Sequence, residues 1–334
     1  MNMPSHPLRR GVPIVALLLL GMMAAIVGAP FVGSTPLSFS RVFSRALPFQ
    51  DNLDSQIFFL ARLPRALAAA LVGGSLAASG VVFQALLRNP LADPYTLGIA
   101  GGAALGAIMA IAFAAWLPFG GVASASLAGA CLAVGVVYAL ASAKRTGLST
   151  TVLLLAGVTL NAFFYALILF VQYVSDFSQV FRAVRWLMGD LDVASYSPVL
   201  AALPFALFAL AAFVWLARPL NLLTLGAEAA EARGVNVHAA QRLAFLSASL
   251  ATSAAVSLAG PIGFVGIVVP HLVRLMVGVD HRLVLPASAL FGAAFLVGCD
   301  LVARTVLAPV EVPVGVVTAM LGGPFFLWLL VRKS

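Results

Sequence analysis

Side chains that could perform catalysis or hold a metal ion are few in this chain and lie far apart in its sequence. The four histidines occupy positions 6, 238, 271 and 281, and no two of them have the i, i+4 spacing of a helical metal site. The chain contains no recognisable Ser/His/Asp arrangement and no phosphate-binding loop of the Gly-x4-Gly-Lys-Ser/Thr type. We therefore predict that the chain is not an enzyme, does not hydrolyse ATP itself and holds no metal or cofactor.

Two acids that follow apolar segments, Asp300 and Glu311, are candidates for proton coupling. An ionisable group at membrane depth is a functional hypothesis by default. Both acids, however, lie near predicted helix ends and close to Arg304. A local ion pair that orients the helix ends is the simpler interpretation.

The composition predicts a protein that lies in a lipid bilayer. Of the 334 residues 62% are hydrophobic and 9% are charged, whereas a soluble domain carries roughly a quarter charged residues. The net charge of +8 could suggest nucleic-acid binding, but the basic residues are scattered between apolar runs, so we predict no nucleic-acid partner. Cys131 and Cys299 lie in apolar segments and are predicted to be buried structural thiols.

Ten apolar segments could cross the membrane as helices, which satisfy their own backbone hydrogen bonds as hydrocarbon requires. The predicted segments are 12–32, 60–86, 95–113, 117–142, 150–173, 194–216, 238–258, 263–278, 283–306 and 313–331. The first resembles a signal peptide, but Pro30 directly after Gly28-Ala29 disfavours cleavage, and we interpret it as a retained helix. The predicted fold is an all-α polytopic membrane protein with a single domain, residues 1–334.

Charge predicts the orientation of these helices. With ten helices both termini share a side, and the basic residues at both ends place that side in the cytoplasm. The basic residues predicted inside also include Arg88, Lys144, Arg145, Arg218, Arg233, Arg242, Arg274 and Arg282. The basic residues predicted outside are Arg41, Arg45, Arg62, Arg65, Arg182, Arg185 and Arg304. Basic residues are more numerous inside, but the outer arginines exceed what the rule predicts.

A weak internal repeat links two segments of the chain. Leu76–Val82 resembles Leu250–Val256, and each segment follows a basic residue and precedes a Pro/Gly break. Helices 2–5 and 7–10 would then form inverted repeats, as in many transporters. Similarity over so few residues in alanine-rich helices can also arise by chance.

The longest non-apolar stretch on the predicted inner side runs from Arg218 to Gly234, within a loop at 218–236. It contains a short helical piece at 227–233, between Gly226 and Gly234, and glycine at both ends is typical of sharp entry and exit. This stretch is either a solvated connector or a docking helix for a cytoplasmic partner.

Taken together, the motifs of the chain resemble the FecCD-type permease subunits of bacterial ABC importers for iron–siderophore complexes, haem and vitamin B12. The resemblance covers nearly the whole chain. It rests on residues 62–65, 84–94, 97–98, 154–157, 186–189, 260–266, 269–271, 280–282, 300–304 and 311–315. It implies a type II ABC importer permease fold with ten helices per subunit, a homodimer, and two copies of a separate ATPase subunit.

The resemblance also implies sites. Arg62, Arg65 and Arg304 match arginines on the periplasmic rim that pair with glutamates of a soluble binding protein, a task that suits the planar guanidinium. The residues matching the cytoplasmic coupling helix, which sits in a groove of the ATPase, are Gly226, Glu228, Ala229, Arg233 and Gly234. The residues matching loops that constrict the inner end of the pathway are Asn89, Leu91, Ser149 and Thr150.

The function implied by the resemblance is import of an iron chelate (siderophore or haem) or cobalamin across the bacterial inner membrane. The alternative is an ion-gradient-driven secondary transporter with inverted repeats, which would need an ion site or a buried acid at mid-membrane. The sequence does not distinguish the substrates, because selectivity in this family is expected to lie with the binding protein.

Overall fold

The computed structural model describes residues 7–44, 48–114, 121–143, 148–193 and 195–333, and the regular elements of these ranges are helical. In chain order the helices are α1 Pro7–Gly28, α2 Phe39–Val42, α3 Leu53–Gln56, α4 Leu63–Leu86, α5 Ile99–Ala112, α6 Val122–Ala141, α7 Thr150–Val174, α8 Phe177–Leu187, α9 Tyr196–Leu223, α10 Ala227–Glu231, α11 Val237–Ala259, α12 Val265–Val277, α13 His281–Thr305 and α14 Val314–Lys333. A π-helical turn, Ile57–Arg62, joins α3 to α4. Predicted basic positions 45, 144 and 145 lie outside the described residues.

Seven helical stretches of the described chain are long and apolar enough to cross a membrane, and three further apolar helices, Ile99–Ala112, Val265–Val277 and Val314–Leu329, are shorter. Each of the ten predicted segments overlaps one of these, which confirms the all-helical membrane fold. α12 has 13 residues and is about 20 Å long, less than the hydrocarbon thickness of about 30 Å. The crossing of all ten helices therefore stays a prediction.

Two helix predictions need correction. The sixth segment was expected to end at Leu216, but α9 continues through Arg218 and Pro219 to Leu223. An arginine near a helix end keeps its charge in the interfacial region, so it does not stop the helix. The amphipathic helix α8 was not predicted, because its apolar run is too short for a span; Asp176 and Gln179 form a capping box at its start.

The centre of the fold is α4, whose residues are almost all buried by neighbouring helices. It packs against α9, α11, α12 and α13. Small residues make this possible: the backbones of Gly73 in α4 and Gly292 in α13 are in direct contact, so that a Cβ atom on Gly292 would lie 2.5 Å from the Gly73 carbonyl oxygen. Close backbone contact between small residues is typical of membrane helices.

The helix packing agrees with the predicted repeat. α4 packs on α12 and α13, and α11 packs on α5 and α6. Helices α5, α6 and α7 pack on one another, and so do α12, α13 and α14. The contacts of α4 with α12 and α13 thus correspond to the contacts of α11 with α5 and α6. Each of these two helices packs against the other four-helix unit in the same way, as expected for repeats of one structural unit.

The bundle has two distinct ends. We call the end at Arg62, Arg65 and Arg304 the arginine end, and the opposite end, at Asn89 and α10, the α10 end. α1 begins at the α10 end, because Gly11 lies against Leu283 near the start of α13. α14 ends there as well, since Leu329 and Leu91 line one small cavity. The start of α1 and the end of α14 thus lie at the same end of the bundle, as an even number of helices predicts. Which side of the membrane this end faces stays a prediction.

The cysteine prediction is half right. Cys299 is buried, but Cys131 is exposed on the surface of the chain. α6 is apolar on all sides, so the sequence did not show which of its faces is covered by other helices.

Substituting Gly292 with alanine is expected to destabilise the fold by about 1–3 kcal/mol, because the added methyl group overpacks the α4–α13 contact. Gly298 lies in the same helix, and a Cβ atom there would meet nothing within 4 Å. Gly298→Ala is therefore the matched control. Thermal unfolding of the purified variants in detergent measures both effects, and equal unfolding midpoints would contradict this account of the contact.

Candidate docking and coupling sites

The arginine end holds a buried cluster of ion pairs. Arg65, in the first turn of α4, donates from Nε to Asp300 Oδ1 at 2.8 Å and from Nη1 to Glu311 Oε2 at 2.6 Å. Arg304 lies one turn after Asp300 on α13, and its Nε is 3.1 Å from Asp300 Oδ2. Asp300 thus neutralises two arginines, and the cluster joins α4 to α13 and to the connection before α14.

Two of the arginines also cap carbonyl groups of the segment after α1. Arg304 donates to the carbonyl oxygens of Ala29 and Val32, each at 3.1 Å. Arg62 donates to those of Pro30, at 3.0 Å, and Thr35, at 2.7 Å. These carbonyls lie in and after the 3-10 turn Ala29–Phe31 that follows α1, where acceptors are left over from the end of the helix. The guanidinium groups therefore fix the path of the chain at this end of the bundle.

The structure brings together all three arginines that were predicted to dock a binding protein. Arg62, Arg65 and Arg304 line one polar cavity of about 510 Å³, together with Asp192 and Glu311. Arg65 and Arg304 are nevertheless buried, and Arg62 is half-buried. The predicted local ion pair between Asp300 and Arg304 is present, whereas the involvement of Arg65, distant in sequence, was not predicted.

Burial predicts different roles for the two acids. The side chain of Asp300 is 2% exposed and that of Glu311 is 51% exposed. Asp300→Ala would leave the buried Arg304 without a carboxylate and Arg65 with the solvated Glu311 alone, and is expected to cost about 3–5 kcal/mol of stability. Glu311→Gln removes a solvated ion pair and is expected to cost at most about 1 kcal/mol. Thermal unfolding in detergent compares the two variants, and equal losses would contradict the assignment of Asp300 as the central group.

At the α10 end, α4 stops in a loop whose polar groups bond locally. Arg88 has a positive φ of 49°, and the Asn89 side chain accepts a hydrogen bond from the Leu91 amide at 2.9 Å. The Tyr95 hydroxyl then donates to the carbonyl of Ile262 and accepts from its amide, each at 2.9 Å. The loop is thereby tied to the turn between α11 and α12. Irregular backbone in a membrane protein needs such internal partners.

The other two predicted gate residues lie at the start of α7. Ser149 is its N-cap and Thr150 its first residue. Within the described ranges, no hydrogen bond joins either of them to Asn89 or Leu91. The structure therefore places the two halves of the predicted gate on separate elements.

The short helix predicted at 227–233 is present as α10, Ala227–Glu231, and ends two residues earlier than expected. The flanking Gly226 and Gly234 have φ values of 121° and 79°, which side-chain-bearing residues rarely adopt, so glycine is required at both positions. Glu228 and Arg233 are exposed, and Arg233 donates to the Ala229 carbonyl at 3.2 Å. Within α10, Ala230 is buried and anchors this short helix to the bundle. α10 thus presents a polar surface at the end of the molecule.

A hydrogen-bonded clamp, which the sequence did not reveal, holds the base of α10. Asn221, in the last turn of α9, donates to Asp280 Oδ1 at 2.7 Å and accepts from the His281 amide at 2.9 Å and from its Nδ1 at 2.7 Å. The Asp280 side chain in turn caps α13 by accepting from the Arg282 amide. The segment that leads into α10 is therefore fastened to the first residue of α13.

A polar bridge at the same end joins α4 to α12. Arg274 Nη1 donates to Gln84 Oε1 at 2.6 Å, and Gln84 Nε2 donates to the Gly266 carbonyl at 3.1 Å. Gln84, Arg274 and Asn221 line a cavity of about 620 Å³ at this end. The start of α13, the end of α4 and the base of α10 are thereby neighbours.

These features define a class of protein: a multi-pass helical membrane protein of the transport type, with paired four-helix units and a short helix displayed between them. The chain belongs to the FecCD transport family, which it matches over residues 17–332. Relatives in this family are named as transport permeases, in agreement with the prediction that the chain is not an enzyme.

Individual relatives are similar over most of their length. The chain is 40% identical to the hemin transport system permease protein HmuU of Yersinia pestis, covering 96% of each chain. It is 46% identical to the cobalamin import system permease protein BtuC of Halobacterium salinarum over 80% of this chain and 72% of that one. A solved structure described as an inward-facing conformation of a metal-chelate type ABC transporter superposes with a TM-score of 0.82 at 32% identity, covering 97% of this chain and 100% of the other.

Proposed function

We propose that the chain is the transmembrane permease subunit of an ABC importer that carries an iron chelate (siderophore or haem) or cobalamin from the periplasm to the cytoplasm. It would act as a homodimer in the bacterial inner membrane, with both termini cytoplasmic and the whole chain forming one transmembrane domain. The observation that carries this proposal is α10, an exposed polar helix fastened to the transmembrane bundle by a hydrogen-bonded clamp.

In this proposal α10 is the contact with the ATPase. Each of two ATPase subunits receives one α10, with Glu228 and Arg233 as its polar contacts and Gly226, Ala229 and Gly234 fixing its shape. Asn221 passes any displacement of α10 to α13, because the side chain bonds to both Asp280 and His281. Asn89 and Leu91, with Ser149 and Thr150, form the cytoplasmic gate.

The opposite end of α13 supports the second half of the proposal. α13 spans 25 residues, or about 38 Å, from the α10 clamp to the arginine cluster. A binding protein that docks through acidic side chains would meet Arg62 first and would compete with Glu311 for Arg65. Alternating access then requires that each partner binds one conformation of the bundle better than the other.

The ion-gradient alternative receives little support from the geometry. It needs an acid that can gain and lose a proton at mid-membrane. Asp300 is instead paired with Arg65 and Arg304 at one end of the bundle.

Reconstitution in proteoliposomes tests the proposal. With the cognate ATPase inside and the binding protein outside, we expect uptake of the bound ligand only with ATP. Uptake by the purified chain alone along an ion gradient would overturn it.

In the same assay Asn221→Ala should keep ATPase association but reduce transport per ATP hydrolysed severalfold, because α10 is released from α13. Thr224→Val, which removes only a hydroxyl bonded to its own helix, is the matched control and should transport normally.

The docking role of Arg62 has a separate test that avoids the buried cluster. Arg62→Glu is expected to weaken binding-protein association, and more at low salt than at high salt, since ions screen the attraction. Arg41→Glu is the control, because Arg41 is an exposed arginine at the same end outside the cavity. Titration by surface plasmon resonance measures both, and equal affinities of Arg62→Glu and the parent chain in both buffers would exclude docking through Arg62.

A further inference from the structure

A groove between α9 and α13, near the α10 end, is lined by two arginines and by apolar side chains. Its volume is about 660 Å³, and its lining includes Val214, Trp215, Arg218, Arg282 and Leu285. Val214, Trp215 and Arg218 lie within one turn or so of each other on α9, and all three are exposed. The groove is thus apolar along its length and basic at one end.

The two arginines together keep a net positive charge in the groove. Among the described residues no salt bridge includes Arg218 or Arg282. The nearby carboxylate of Asp280 accepts hydrogen bonds from Asn221 and from the backbone amide of Arg282, and it attracts the Arg282 guanidinium without forming a salt bridge with it. Asp280 offsets part of the charge of Arg282, while Arg218 has no salt-bridge partner among the described residues, so positive charge remains in excess beside an apolar surface.

The groove lies at the depth where a lipid headgroup would be. α9 has 28 residues and is about 42 Å long, close to the thickness of a bilayer with its headgroup regions. Arg218 is five residues, or about 8 Å, from the end of α9, and Arg282 is the second residue of α13. An exposed tryptophan one turn deeper is typical of the membrane–water interface.

We propose that this groove binds an anionic phospholipid of the leaflet at the α10 end, the cytoplasmic leaflet if the proposed function is correct. The phosphate pairs with Arg218 and Arg282, and an acyl chain lies along Val214, Trp215 and Leu285. Guanidinium groups bind phosphate strongly, and basic pockets between membrane helices suit anionic headgroups. The lipid would sit beside the clamp at Asn221, so that occupancy would hold α9 and α13 together at the base of α10.

Fluorescence quenching tests this site on the purified full chain in detergent. Phosphatidylglycerol with brominated acyl chains is titrated in, and the signal of a Trp215→Phe variant is subtracted to remove the other three tryptophans. We expect saturable quenching of Trp215, with phosphatidylcholine of the same brominated chains quenching far less. Arg218→Gln combined with Arg282→Gln should weaken binding roughly tenfold or more, as expected for the loss of two interfacial charges.

Arg242→Gln is the matched control, since Arg242 is exposed at the same end but outside the groove. It should leave the titration unchanged.

Equal quenching by the two lipids, or an unchanged titration in the double variant, would overturn the proposal. Displacement by inorganic phosphate alone would show an anion site in place of a lipid site. Absence of saturable quenching in the parent chain would likewise overturn the proposal. None of these results depends on transport, so the proposed function can fail separately.

Discussion

The ion pairs of Asp300 with Arg65 and Arg304 are the interaction on which the arginine end depends. A buried carboxylate and two guanidinium groups are costly to remove from water unless each has partners. Here the partners come from α4, from α13 and from carbonyl groups after α1, so the pairing is complete only when these three parts of the chain are in register. The energetic gain of such a cluster is small, but the penalty for breaking it is large. It therefore specifies one arrangement of the helices more than it adds to stability.

Much of this architecture follows from the amino-acid sequence. Hydropathy located ten helices, and glycines at 226 and 234 located α10, since each physical signal is local. Ion pairs and hydrogen bonds between residues far apart in the chain could not be predicted from such local signals. Nothing near Arg65 indicates that its partners are 235 and 246 residues away, and the Asn221 clamp joins residues whose side chains have no distinctive spacing. The α8 helix was missed for another reason: its apolar face is a stripe and not a continuous run.

The same difference between local signals and long-range pairing applies to the site predictions. The resemblance to a family located Arg62, Arg65 and Arg304 on one surface, and the structure places all three around one cavity. The exposure of these arginines could not be anticipated, because it depends on Asp300 in α13 and on Glu311 in the connection before α14. The same guanidinium group can hold the bundle together and receive an acidic partner, provided that the partner displaces the solvated Glu311 and leaves the buried Asp300 in place. Structural and docking roles of Arg65 are thus compatible.

The contact between Gly73 and Gly292 has a mechanical consequence. Most helix contacts are made by side chains, which can change rotamer and so absorb small displacements of one helix relative to another. At this point the α4 and α13 backbones touch directly, and no rotamer is available to yield. The two helices are therefore expected to move as one stiff body, and flexibility in the bundle must lie at contacts made by longer side chains. A transport cycle built on this fold would bend around the α4–α13 pair and not within it.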